Sequence, residues 1–75
     1  MVQRKDPLLR ALGWRVHQLR ESKLWTQETL AGRAGLDRSY VAGIEAGLRN
    51  PSTKALAKLS RALGVTLSEL FKDVR

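Results

Sequence analysis

A guanidinium and a hydroxyl open a stretch that is otherwise bare on one side. At about 100° per residue, Arg38, Ser39, Ala42, Gly43 and Ala46 fall on one helical arc. Tyr40, Val41, Ile44, Glu45 and Leu48 fall on the other, which is mostly apolar and should pack on a core. A helix with one face of small residues can approach a flat or grooved partner closely. A guanidinium at its head can grip O6 and N7 of a guanine in the major groove of DNA, the alternative being a surface or phosphate-only arginine. Ser39 adds one hydroxyl for a base or a phosphate. Ala42 can meet only a thymine methyl. Gly43 costs roughly 1 kcal/mol of helix propensity relative to alanine, which implies a compensating need, either close approach to a partner or clearance between helices.

The surrounding residues define the elements that would hold this arc. Asp6-Pro7 reads as a cap followed by proline at the first helical position. Leu9, Leu12, Val16 and Leu19 then recur at spacings of a helical stripe, giving a first helix to about Lys23. Thr26 caps a second helix, Gln27 to Ala34, with Leu30, Ala31 and Ala34 inward and Gly35 ending it. Leu36 plugs the turn, Asp37 caps the third helix, and Gly47 closes that helix after Ala46. Ser52 caps a fourth helix carrying Leu56, Leu59 and Leu63, which ends at Gly64. Thr66 and Glu69 form a capping box for a fifth, with Leu67, Leu70 and Phe71. No period-two alternation occurs, so the chain should be all-α, with a short basic tail over 1–6 and one domain over 7–75.

Seventy-five residues allow one small domain with a thin core. The absence of cysteine removes disulfides and thiolate metal sites, and a single histidine, His17, makes a histidine metal site improbable. We read His17 as a surface residue. No cofactor is expected. A net charge of +7, from 14 Lys and Arg against 7 acids, suits a polyanion such as nucleic acid. No apolar run is long enough to span a membrane, and the N-terminus lacks a secretory pattern, so a cytoplasmic location is expected. No catalytic triad, carboxylate pair or phosphate-binding glycine loop is present, so the chain should not be an enzyme.

Four blocks in order, LRESKLWTQETLA, AGLDRSYVAGIE, GLRNPS and LSRALGVTLSELF, resemble the Cro/CI-type (XRE) family of helix-turn-helix DNA-binding proteins. Within it, DRSYVAGIEAGLRNPS is most similar to restriction–modification controller proteins and similar small regulators. The resemblance implies a compact five-helix, lambda-repressor-like domain whose third helix enters the major groove. It implies a homodimer on a two-fold operator, acting as a transcriptional repressor or controller, with possible contact to RNA polymerase. The same fold also serves as an antitoxin or protein-interaction module, for which the partner would be a toxin.

The resemblance also distributes roles. Gln27 would bind a phosphate at a helix N-terminus, Arg49 and Asn50 would run along the DNA backbone with Arg49 in reach of a base, and Ser52 would combine cap and phosphate ligand. Tyr40 could offer its hydroxyl to a phosphate or only pack at the core edge. Gly43 departs from the polar reader that many members carry. Leu24 replaces a frequent glycine, implying a looser turn, and Trp25 takes an aliphatic position, implying core. Trp14 could cover the N-terminal segment or join an interface. Arg20 and Glu45 are charges in apolar places, and pairing resolves both. Leu67, Leu70, Phe71 and Val74 are candidates for the dimer surface, or else complete the monomer core.

Overall fold

Side-chain oxygens begin four of the five helices. In the computed structural model, which describes residues 6–75, the Asp6 carboxylate accepts from the Leu8 and Leu9 amides at 2.8 and 3.3 Å and starts α1 (Pro7–Ser22). Thr26 accepts from Thr29 N at 3.0 Å and starts α2 (Gln27–Ala34). Ser52 accepts from Ala55 N at 3.1 Å and starts α4 (Thr53–Leu63). Thr66 and Glu69 exchange both bonds of a capping box at the head of α5 (Leu67–Leu70). These bonds satisfy amides that have no partner within the helix.

The exception is α3 (Arg38–Glu45). Asp37 has the extended backbone of a cap, but its side chain makes no capping hydrogen bond, contrary to the expectation above. The helix stops one residue earlier than expected, with Ala46 as its C-cap. Leu48 lies in the loop after the helix, as the expected end at Ala46 already required, and is half exposed rather than on the buried arc where the wheel put it.

The turn after α1 also differs from expectation. Leu24 is not in a looser turn; it adopts the left-handed conformation itself, with φ 60°. That is a glycine conformation carried by a leucine, and its side chain points almost wholly into solvent, 92% exposed. A non-glycine residue there costs of order 1 kcal/mol.

The five helices bury one core. Leu12 and Val16 of α1, Leu30 of α2, Val41 and Ile44 of α3, Leu59 and Leu63 of α4 and Leu70 of α5 are all buried. Each such side chain contributes roughly 1.5–3 kcal/mol by leaving water. Leu70 is fully buried, so it completes the monomer core and offers no surface to a partner. Val74 is half-buried against the same cluster, whereas Leu67 and Phe71 remain exposed. No strand occurs among the described residues, and none of their helices is long and apolar enough to cross a membrane. Of the tail expected over residues 1–6, residues 1–5 lie outside the described residues, and Asp6 is the cap of α1.

Two contacts that α1 makes with other helices escaped the hydrophobic pattern. Gly13 is buried where α1 crosses the end of α3. A Cβ there would collide with the Ile44 carbonyl oxygen and lie 2.6 Å from that of Glu45. Arg15 ties α1 to α5 by donating from Nε and Nη2 to the Glu69 carbonyl at 3.1 and 2.8 Å.

Candidate nucleic-acid interface

The inner side of α3 is held by charge. Arg20 donates from Nε to Glu45 Oε2 at 2.7 Å and from Nη2 to Oε1 at 3.0 Å. Its Nη1 donates to the Trp25 carbonyl. Both side chains are nearly closed to solvent, at 8% and 4% exposure. Burial alone would push the Glu45 carboxyl up. The Arg20 hydrogen bond, followed by those of Gln27 and His17, reverses that and holds it below its ordinary value. The bond to Glu45 likewise holds the Arg20 guanidinium above its ordinary value, against the opposing effect of burial. A bidentate, charged pair of this kind links helices by geometry as well as by attraction.

Two more side chains join the pair. Gln27 donates from Nε2 to Glu45 Oε1 at 3.1 Å. Because an ionised carboxylate only accepts, the amide nitrogen must face it. One N–H and the amide oxygen of Gln27 are left for another partner. His17 is not a plain surface residue: its Nδ1 lies 3.1 Å from both Glu45 Oε1 and Arg20 Nη2. Nδ1 can donate to the first or accept from the second, according to tautomer. Its ring stacks on Trp14 at 5.3 Å between centroids. Trp14 is otherwise exposed, and periodicity could not reveal this pairing because both rings lie beside the apolar stripe.

The outer side of α3 is open. Arg38 and Ser39 are exposed at its head, and Ala42 and Gly43 are half-exposed behind them. The loop after the helix folds back on this arc. The Gly43 carbonyl accepts from Leu48 N at 2.9 Å and from Arg49 N at 3.2 Å. The Arg49 guanidinium carbon then lies 5.9 Å from the centre of the Tyr40 ring. Tyr40 packs its ring at the core edge, and its hydroxyl accepts from Ser52 N at 3.2 Å, leaving its own O–H free to donate. Ser52 is thereby joined to α3 while its hydroxyl caps α4. Asn50 is exposed in the same loop. The structure thus gathers Arg38, Ser39, Ala42, Gly43, Arg49 and Tyr40 around one helix, with Asn50 and Ser52 alongside. Gln27 is tied to that helix from its inner side.

Trp25 lies at the rim of the core rather than inside it. Its ring is covered by the Arg33 guanidinium at 4.5 Å and the Lys23 ammonium at 5.3 Å. Such contacts let an aromatic ring stay half-wet at low cost.

Comparison with known proteins agrees with this architecture. The sequence profile of the family described as helix-turn-helix matches residues 16–70. The chain is 46% identical over 63 residues to the control protein C.MunI of a Mycoplasma species, covering 83% of this chain and 85% of that one. The crystal structure of the restriction–modification controller protein C.AhdI from Aeromonas hydrophila superposes with a TM-score of 0.82 at 49% identity, covering 84% of this chain and 96% of that one. The controller protein C.Esp1396I, solved as a tetramer on its natural 35 base-pair operator, superposes with a TM-score of 0.84 at 33% identity, covering 93% and 92% of the two chains.

Proposed function

The chain belongs to the helix-turn-helix family of the Cro/CI type, and from that premise we propose how it works as a sequence-specific, DNA-binding transcriptional regulator. The observation that carries the reading is the outer arc of α3: a strip of small residues, headed by the exposed Arg38, on a chain of net charge +7. The strip lets the helix backbone enter a major groove about 12 Å wide. Arg38 and Ser39 then meet base edges, with Arg38 bidentate on a guanine. Ala42, with only a methyl to offer, meets a thymine methyl in this reading.

Phosphates supply most of the affinity. Gln27 offers its second amide N–H from the start of α2, where the helix dipole also favours an anion. Tyr40 offers its O–H, and Asn50 and the Ser52 region follow the backbone strand. Neutralised phosphates release counterions, so binding weakens steeply with salt. Few polar side chains read bases directly, so operator shape and deformability carry part of the discrimination.

The regulator acts as a homodimer on a two-fold operator, with half-sites about one helical turn, roughly 34–36 Å, apart. Leu67 and Phe71, exposed at 42% and 38% on the outer side of α5, are the residues we assign to the dimer surface. Its likeness to controller proteins supports a repressor or controller role in the cytoplasm, where the operator lies. The test is selection of binding sites from random duplex DNA at two salt concentrations. A two-fold symmetric site with a steep salt dependence is the expected result. Equal retention of scrambled DNA sinks the sequence-specific reading.

A further inference from the structure

Gly43 carries no side chain with which to contact a base, yet it stands in the middle of the arc that faces outward. What fills the space above it is Arg49. A Cβ built on Gly43 would lie 2.5 Å from Arg49 Cγ and within 3.5 Å of Cδ and Nε. The aliphatic stem of Arg49 therefore occupies the volume that any other residue's Cβ would take. The Arg49 backbone is drawn to the same point by its N–H bond to the Gly43 carbonyl, and the Tyr40 ring flanks the guanidinium. Tyr40 is itself fixed through Ser52.

We propose that Gly43 is a specificity-determining residue that acts through Arg49: its missing side chain seats the loop arginine across α3, so that a guanidinium from outside the helix reads the base that a mid-helix side chain would otherwise read. The inference rests on the DNA-binding reading above. Gly43 is a positioning residue in this scheme and Arg49 the contacting one. An alanine at position 43 keeps both carbonyl bonds to the loop, since these use backbone atoms. It meets only the Arg49 side chain, from Cγ outward, and that exposed side chain can turn away about its first torsion, so the domain should fold normally.

The experiment is a double-mutant cycle with Gly43→Ala and Arg49→Ala, read as Kd on the duplex selected by the wild-type protein and on that duplex with each base pair changed in turn. Circular dichroism of each variant checks folding. Gly43→Ala should weaken binding about ten-fold and flatten the preference at the same base pair that Arg49→Ala flattens, within the range of one bidentate contact. In the Arg49→Ala background, Gly43→Ala should change nothing further, because coupled residues are non-additive. Equal ten-fold losses in both backgrounds overturn the inference, since the added methyl would then meet DNA directly. Wild-type affinity and preference in Gly43→Ala overturn it as well. A wild-type protein with no preferred duplex overturns the DNA-reading assignment itself and this inference with it.

Discussion

Arg20 and Glu45 meet twice, with Nε and Oε2 2.7 Å apart and Nη2 and Oε1 3.0 Å apart, and this bidentate contact ties α1 to the inner side of α3. Arg20 is only 6% exposed, yet every polar atom of the pair has a partner. The pair is a register device: it sets the depth and rotation at which the outer arc of α3 is presented. Removing one partner leaves the other charged and buried.

Arg20→Ala should therefore destabilise the fold by about 3–5 kcal/mol, the usual penalty for orphaning a buried charge. Urea unfolding monitored by circular dichroism measures it. A loss below about 1 kcal/mol, the range of exposed ion pairs, shows that water reaches Glu45 and that the pair is not buried in solution.

Acid should unfold the protein through the same carboxyl. Glu45 has its folded pKa held below its ordinary value of 4.5, so the unfolded chain takes up its proton first as pH falls. The stability it contributes is complete above about 4.5 and is lost as pH drops through the folded value. Glu69, held low first by the Thr66 backbone N–H, shifts in the same direction. Thermal unfolding between pH 6 and pH 3 should show the melting temperature of Glu45→Gln falling less than that of the wild type. Parallel curves for the two proteins contradict this origin.

Gly13 and Gly32 should respond oppositely to alanine. At Gly13 the new methyl meets the Ile44 and Glu45 carbonyls, which are backbone and cannot swing aside. At Gly32 it meets nothing within 4 Å. Gly13→Ala should cost about 1–3 kcal/mol by overpacking and weaken DNA binding, because α3 is pushed outward. Gly32→Ala should gain up to about 1 kcal/mol from helix propensity. Melting temperatures that rise for both variants refute the close crossing of α1 and α3.

Arg38→Ala should cost about 1–3 kcal/mol of specific binding and relax one base position. Gln27→Ala should weaken binding to all duplexes by a similar factor, since a phosphate contact carries no sequence information. Gel-shift titrations on the selected duplex and its point variants separate the two. An unchanged base preference in Arg38→Ala moves that arginine from the bases to the phosphates.

Leu67→Ser combined with Phe71→Ser should give a folded monomer with weakened operator binding, because both side chains are exposed while Leu70 and the Arg15 bonds to Glu69 hold α5 in place. Sedimentation equilibrium checks the mass. A variant that still sediments as a dimer moves the interface elsewhere on the surface.

Most of the fold was legible because its signals are local. Caps at Asp6, Thr26, Ser52 and Thr66 act within three residues. The apolar stripes of α1, α2 and α4 follow from one period. Asp37 and Leu24 misled because cap chemistry and turn geometry are preferences that a surrounding fold can override. Leu48 matched the apolar arc only by angle, since it lies past the expected end of α3, where a helical wheel no longer applies. His17, Arg15 and Gly13 carried no readable signal: each acts on a partner 28 or more residues away.

The sequence by itself determined the helices, the buried face of α3, the small residues on its outer arc and the need to pair Arg20 with Glu45, since each follows from residue type and helical period. Only the tertiary structure decided that Gln27 and His17 complete that pair, that Leu70 belongs to the monomer core, and that Arg49 lies over Gly43. Those outcomes depend on which surfaces meet when the helices pack, and helical period carries no information about the distance between separate helices.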